Sequence, residues 1–351
     1  MHARSPRHAA GCHVKLGARV ARGAALSVLG LIVGCAAPGG APPQFAGFDA
    51  IDRAKRTFVV IGDTQRTTAW EFWRERSAEE TRLLLAEIAR RDPAFVINTG
   101  DLTGWGGSAA HWQLFDREHR PLVDKRIPYF PCLGNHDYYG LDRSSLQQLF
   151  ARVPALGGRT WYGIRFKEVG CVLLNSNFDV LSPQEQRAQE AWYADEMAAL
   201  ERDPSVRYIV VCCHHAPFSN GTSVQPSPEV EARFAAPFLR ATKAAFFFTG
   251  HCHAYERFVV GGRQFIVTGG GGGPRHTLVT DERERKYDDV YRGPAIRPFH
   301  FCELELGDGC LECRIAALHA DGSFREIDRV SVKAGARSGP RQSSKEREAR
   351  Q

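Results

Sequence analysis

The sequence predicts an α/β protein whose reactive groups gather at one edge of its sheets. Three observations carry this. Five apolar runs rich in Val, Ile and Phe each end in carboxylate, amide or imidazole side chains. Strand-like and helix-like segments alternate from Thr57 to about Gly250. Short apolar runs of this kind are buried strands, and open α/β sheets place ligands just beyond the carboxyl ends of their strands.

The runs follow in chain order. Phe58–Ile61 leads through Gly62 to Asp63, and Ala94–Thr99 through Gly100 to Asp101. Tyr129–Leu133 leads through Gly134 to Asn135, His136 and Asp137. Tyr208–Cys213 leads to His214 and His215, and Ala245–Thr249 through Gly250 to His251 and His253. Between them, Leu83–Arg91 is helical by composition. A longer helix opens at Ser182, a plausible N-cap, with Pro183 in its first position. Trp161–Phe166 and Cys171–Asn175 read as adjacent strands, joined by a turn over Lys167–Gly170. After His253 the pattern becomes all strand: Arg257–Val260, Gln264–Thr268, His300–Leu306, Glu312–Leu318 and Phe324–Val330. Gly261-Gly262 and Asp321-Gly322 mark hairpins. Residues 275–298 are polar and read as an inserted surface loop, with Trp105 as a second surface feature. Residues 334–351 read as a disordered tail.

Composition narrows the function classes. The chain has 351 residues, 43% apolar and 25% charged, as ordinary globular proteins do. Its formal charge of +6 is misleading. Residues 1–34 carry Arg4, Arg7, Lys15, Arg19 and Arg22 and no acid, so the remainder is close to neutral and nucleic-acid binding is not expected. The same segment reads as a signal peptide. A basic stretch precedes an apolar one from Ala24 to Val33, far shorter than the ~20 residues that span a bilayer. Its boundary, Ile32-Val33-Gly34-Cys35, resembles a bacterial lipoprotein box. That resemblance implies lipidation of Cys35 and an exported protein, anchored at the outer membrane or periplasmic. Residues 35–55 then serve as a tether and 56–333 as the folded domain. Cys310-Leu-Glu-Cys313 lacks a second pair and does not suggest structural zinc. An exported chain could pair Cys302, Cys310 and Cys313, without the sequence assigning which.

Mixed carboxylate, amide and imidazole ligands suit divalent metals. Two cations about 3.5–4 Å apart clamp the attacking and leaving oxygens of an in-line displacement. Asp63 suits a first metal. Asp101 is the natural bridge, having two oxygens to share, and Asn135 offers a neutral oxygen to a second metal. His251 and His253, on a loop past a strand, reach one metal each.

The five blocks Gly62-Asp63, Gly100-Asp101, Gly134-Asn135-His136-Asp137, His215-Ala216-Pro217 and Gly250-His251-Cys252-His253 resemble those of the calcineurin-like metallophosphoesterases, in order and rough spacing. The last, continuing Ala254-Tyr255-Glu256-Arg257, is close to the purple acid phosphatase version. The resemblance covers about residues 57–332. It implies a four-layer α/β/β/α sandwich of two mixed sheets. It implies hydrolysis of small-molecule phosphate mono- or diesters by a hydroxide on a dinuclear centre of Mn, Zn, Fe or Mg. Asp63, Asp101 and His253 would bind the first metal, and Asp101, Asn135, His215 and His251 the second. His136 would contact the phosphate or protonate the leaving oxygen. Either His214 or His215 could fill the fourth block; the His-x-Pro spacing favours His215, with His214 facing the adjacent wall.

Two departures stand out. Many members carry histidine two residues after the first aspartate, where this chain has Gln65, open as ligand, substrate contact or neither. The purple acid phosphatase tyrosine three residues after the second aspartate is Gly104 here, so an iron–tyrosinate colour is not expected. Gln65 motivates an alternative function, a surface-anchored phosphate-ester binding protein with little turnover. Gly269–Gly273 reads as close backbone packing, and Tyr255-Glu256-Arg257 as structural. Oligomeric state is open.

Overall fold

The computed structural model describes residues 41–67, 71, 73–140 and 144–335. The expected signal segment, Cys35 and nearly all of the expected tail lie outside these residues. Twelve strands form two six-stranded sheets. The first sheet uses β1 (Thr57–Ile61), β2 (Val96–Asn98), β3 (Tyr129–Pro131), β10 (His300–Leu306), β11 (Cys310–Leu318) and β12 (Phe324–Lys333). Their order is β12-β11-β10-β1-β2-β3. The second uses β4 (Tyr162–Phe166), β5 (Val169–Leu173), β6 (Tyr208–Cys212), β7 (Ala244–Thr249), β8 (Tyr255–Val260) and β9 (Arg263–Thr268), ordered β4-β5-β6-β7-β9-β8. Both are mixed. β1-β2-β3 and β5-β6-β7-β9 run parallel, while the remaining neighbours are antiparallel.

The apolar runs explain why two sheets stack. Successive side chains of a strand point to opposite faces. In β7, Phe246 and Phe248 join the core between the sheets, while Phe247 joins the core under the outer helices. In β6, Val210 and Cys212 divide in the same way from Ile209 and Val211. A strand buried on both faces must be apolar throughout, which is why these runs do not alternate. Between the sheets, Phe95 packs edge-on to Phe166 of the opposite sheet, with ring centres 5.3 Å apart. The helices α1 (Ala78–Arg91), α2 (Ala109–Glu118) and α3 (Arg120–Asp124) pack on one another beside the first sheet. α5 (Pro183–Arg202) and α7 (Ala236–Arg240) cover the second. The fold is the four-layer α/β/β/α sandwich that the sequence suggested.

Several local expectations are refined. The turn between β4 and β5 is two residues, Lys167 and Glu168, so Val169 and Gly170 belong to the strand. Lys167 takes the left-handed conformation that so tight a turn needs (φ 50°). The α5 N-cap is a full capping box: Ser182 Oγ accepts from Glu185 N, and the Glu185 carboxylate accepts from Ser182 N. The chain between Pro42 and residue 56, expected as the end of a tether, instead packs on the domain. Phe45 is buried and stacked on Tyr129 at 4.6 Å, and Phe48 stacks on Phe130 at 4.7 Å. Two aromatic rings in a Pro/Gly-rich stretch are enough to dock it. The eight described cysteines are free thiols. No helix among the described residues is long and apolar enough to cross a membrane.

Candidate metal centre

Strand register brings the ligand blocks side by side. Ile61 lies beside Asn98, and Asn98 beside Pro131, so the loops after β1, β2 and β3 leave the sheet together. Cys212 lies beside Phe248, which aligns the loops after β6 and β7. Cross-sheet bonds then tie the two groups of loops. His251 N donates to Asp63 Oδ1 at 3.0 Å, and the His214 ring nitrogen Nδ1 stands 3.1 Å from the Thr99 carbonyl.

The backbone is bent to aim the ligands. Asp63, Asp101 and His251 all adopt left-handed conformations, with φ of 58°, 54° and 66°. Such geometry costs a non-glycine residue about 1–2 kcal/mol and persists where the surroundings enforce it. Glycines supply the clearance. A Cβ on Gly134 would lie 2.1 Å from Asp101 Oδ1, and one on Gly250 would lie 2.2 Å from Asp63 Oδ2. The expected close packing at Gly269–Gly273 is present too: Gly271 N donates to Gly62 O at 2.9 Å and Gly273 N to Asp63 O at 2.7 Å.

Two clusters of ligand atoms result. Asp63, Asp101 and His253 form one; His214, His215 and His251 form the other. Asp101 stands between them. Its Oδ1 lies 3.5 Å from His214 Nε2, while its Oδ2 lies 3.1 Å from Gln65 Nε2. Asn135 Oδ1 is 3.2 Å from His214 Nε2, and His251 Nδ1 is 3.2 Å from the same nitrogen. His214 is thus fully buried with Nε2 facing the other ligands, not the adjacent wall. Its second nitrogen is taken by the Thr99 carbonyl. That arrangement leaves Nε2 as a lone pair, the usual orienting pattern for a metal-binding imidazole. His215 belongs to the same cluster, its ring centre 4.6 Å from that of His251, with Nδ1 2.9 Å from Ser176 Oγ. The sequence signal for His214 was its place immediately after the buried run.

The electrostatics of the two clusters suit a divalent cation. Burial pushes the Asp63 carboxyl well above the ordinary range. Burial does the same to Asp101, and the charge of Asp63 adds to it. Among the described residues, both carboxylates have ion-pair partners that are imidazoles alone. Of these, His214 and His253 are unsuited to neutralise them. Burial drives His214 far down, His253 to about 3 and His251 to about 2. Buried carboxylates beside neutral imidazoles are the donor set that a divalent cation satisfies. Gln65 adds to the fit. Its Nε2 lies 3.1 Å from both Asp101 Oδ2 and His253 Nε2, while its Oε1 is buried without a partner. Turning the amide over puts that oxygen among the ligands of the first cluster.

Surrounding groups fix the loops. The Asp137 carboxylate accepts from Leu102 N, Thr103 N and Gly134 N. Burial, and then Asp101, raise its pKa to about 8. His136 Nδ1 stands 3.0 Å from Gly104 O, and its Nε2 is 3.9 Å from Asp101 Oδ2. His276 stacks on His253 with ring centres 4.3 Å apart, and its Nδ1 accepts from His253 N. The 275–298 segment, expected as surface decoration, therefore also braces the site. Tyr255 and Arg257 both reach Asp328, a structural role as expected.

Comparison with known proteins agrees with this geometry. Residues 56–255 match the calcineurin-like phosphoesterase family. A probable cyclic nucleotide phosphodiesterase of Rhodopseudomonas palustris is 28% identical over 205 residues, which cover 56% of this chain and 71% of that protein. Purple acid phosphatase 22 of Arabidopsis thaliana is 25% identical, over 78% of this chain and 61% of its own. In fold, the chain resembles purple acid phosphatase PPD1 of yellow lupin (TM-score 0.63, 17% identity, 79% of this chain and 53% of that one). It also resembles a dimetal phosphatase from Danio rerio (TM-score 0.52, 14% identity, 80% of this chain and 99% of that one). The chain thus spans less than two thirds of purple acid phosphatase 22 and of the lupin protein. The matched segment is more than half of the sequence and runs from β1 to the start of β8, taking in the loops that carry both ligand clusters. The chain therefore belongs to the calcineurin-like phosphoesterase family, a family of phosphoric ester hydrolases.

Proposed function

We propose that the chain hydrolyses phosphate mono- or diesters of small molecules at a pair of divalent cations. Asp63, Asp101, His253 and Gln65 would hold one, and Asp101, Asn135, His214 and His251 the other. His215 belongs to the same ligand cluster and is the candidate that the His-x-Pro spacing favours for this second site. The observation that carries the reading is the placement of Asp101, buried in one ligand cluster with Asp63 and His253 while its Oδ1 lies 3.5 Å from His214 of the other. Mn, Zn, Fe or Mg all suit such donors. A bound pair supplies an acidified water and offsets charge on the phosphoryl oxygens.

The chain's own residues do the rest. His136 lies at the open side of the cleft, beside Asp101, where a leaving oxygen would depart. The Gly104 carbonyl holds a proton on Nδ1, so the mobile proton is the one on Nε2. In the hydrolysis, a water oxygen would bond to phosphorus as the bond to the ester oxygen breaks, and that departing oxygen would take the His136 proton. Asp137 fixes the loop that carries His136. The names of the relatives, a phosphodiesterase and phosphatases, support both ester classes.

The test is release of p-nitrophenol from its phosphate esters. Asp101→Ala and His251→Ala should abolish it, and metal analysis should find two equivalents in the parent protein. Retained activity in both variants would sink the assignment. One equivalent of metal or none, with no turnover, would favour a binding protein instead. We also propose export with a lipid on Cys35; the supporting feature is the Ile32-Val33-Gly34-Cys35 boundary. Labelling with radioactive palmitate should be lost in Cys35→Ser, and labelling that survives would overturn it.

A further inference from the structure

Three aromatic side chains are among the large exposed apolar groups of the described residues: Trp73, Trp105 and Tyr139. Trp73 lines the metal cleft directly. Trp105 and Tyr139, 46% and 39% exposed, continue it outward from His136. The Tyr139 ring lies 4.6 Å from the His136 ring, and Trp105 lies 5.5 Å from Tyr139. An aromatic ledge therefore leads away from the group that faces the leaving oxygen. It is also tied to the centre, since Asn135 Nδ2 donates to Tyr139 Oη at 2.9 Å.

The ledge is rigid. Gly106 N donates to His136 O at 2.9 Å and Gly107 N to Tyr139 O at 2.7 Å, so the two loops are stitched together beneath the rings. Gly107 packs against Gly140 and Tyr139; an added Cβ would lie 3.0 Å from Gly140 Cα. An indole held in place with nearly half its surface in water gains little for folding. It is well placed to stack on a flat ligand, because stacking is worth most when the platform is already ordered.

The geometry points to a nucleoside phosphate as the substrate class, with the base stacked on Trp105. This rests on the phosphoesterase reading and deepens it. The ring ladder decides between flat leaving groups. An aryl ester keeps its ring one oxygen from phosphorus, which stops it at His136 and Tyr139. A nucleotide sets its base a ribose further out, where Trp105 stands. The described contacts of this stretch are between aromatic rings, so the recognition is of a π-face and tolerates different bases.

The experiment compares kcat/KM for a nucleoside 5′-monophosphate with that for ribose 5-phosphate, which shares the phosphate and the alkoxide but lacks the base. The parent protein should favour the nucleotide by about tenfold or more, the size expected of one stacked base. Trp105→Leu should bring the ratio close to one, while Trp105→Phe retains part of it. A ratio near one in the parent, or one unmoved by Trp105→Leu, overturns the proposal. Adenosine alone should quench tryptophan emission of the parent and not of Trp105→Leu; equal quenching in the two also overturns it. p-Nitrophenyl phosphate separates the two readings. Its turnover with a ratio near one removes only the nucleoside assignment. Its inertness removes the phosphoesterase reading, and the adenosine titration then judges the ledge alone.

Discussion

His214 Nε2 stands 3.2 Å from Asn135 Oδ1 although the two residues come from different sheets. The contact brings a fully buried imidazole into the ligand set beside His215 and His251, and it makes His214 the ligand to test against its neighbour. His214→Ala should lose about one equivalent of metal, with activity falling by at least the 10–100-fold typical of a damaged metal site. His215→Ala should keep two equivalents. Elemental analysis of the two purified variants checks this. Two equivalents in His214→Ala with one in His215→Ala would restore the His-x-Pro assignment.

Asp101 should show a trade of stability against function. It is buried beside Asp63 with no Lys or Arg partner among the described residues, so without metal it costs folding energy. Asp101→Asn removes that charge and keeps the shape. After chelation, the variant should melt at the same temperature as the parent or higher. With metal restored, the parent should gain about 2.7 kcal/mol at a hundredfold excess over Kd, and the variant much less. Scanning calorimetry with and without chelator reads both arms. A metal-free variant markedly less stable than the metal-free parent would contradict the account.

Much of this was legible in the sequence, for a physical reason. Strands buried on both faces must be continuously apolar, so Tyr208–Cys212 and Ala244–Thr249 announced themselves and fixed where the ligand loops begin. Asp63, Asn135 and His251 followed from that placement. The inward turn of His214 did not. It follows the same strand as His215, and its ring is oriented by the Thr99 carbonyl of the other sheet, a partner 115 residues away. His276 was equally hidden, because a stacking contact with His253 leaves no pattern in a polar loop. The docking of Phe45 was masked by the Pro- and Gly-rich composition around it.

His119 gives a pH test remote from the metal centre. It is fully buried, stacked on Phe115 with ring centres 3.8 Å apart, and Nδ1 lies 3.0 Å from the Phe115 carbonyl. Burial lowers its pKa from 6.5 to about 3. The unfolded chain therefore binds a proton that the folded chain refuses. The stabilising effect of the neutral ring is complete above pH 6.5 and declines as the pH falls toward 3, by roughly 1.4 kcal/mol per pH unit. His119→Phe keeps a flat ring, and the Phe115 carbonyl still accepts from the backbone N–H of residue 119. Urea unfolding between pH 4.5 and 7 should show a shallower acid slope in the variant. Identical slopes would rule the residue out as a source of acid sensitivity.

The proton assigned to His136 is best tested through the leaving group. p-Nitrophenolate departs without help, whereas an alkoxide needs a proton as the bond breaks. His136→Asn should therefore lower kcat for alkyl phosphates by about 10²–10⁴ and for p-nitrophenyl phosphate far less. Asn keeps a polar group near Gly104 O but has no proton to transfer. If His136 only contacted the phosphate, both esters would suffer alike, since each presents the same phosphoryl oxygens. A plot of log kcat against leaving-group pKa separates these outcomes. A steeper slope in His136→Asn supports proton donation, and parallel lines would assign the residue to binding. The ring contact with Tyr139 makes the second arm informative, because Tyr139→Phe preserves it while breaking the bond from Asn135. That variant should keep the parent slope, leaving the steepening specific to the lost imidazole.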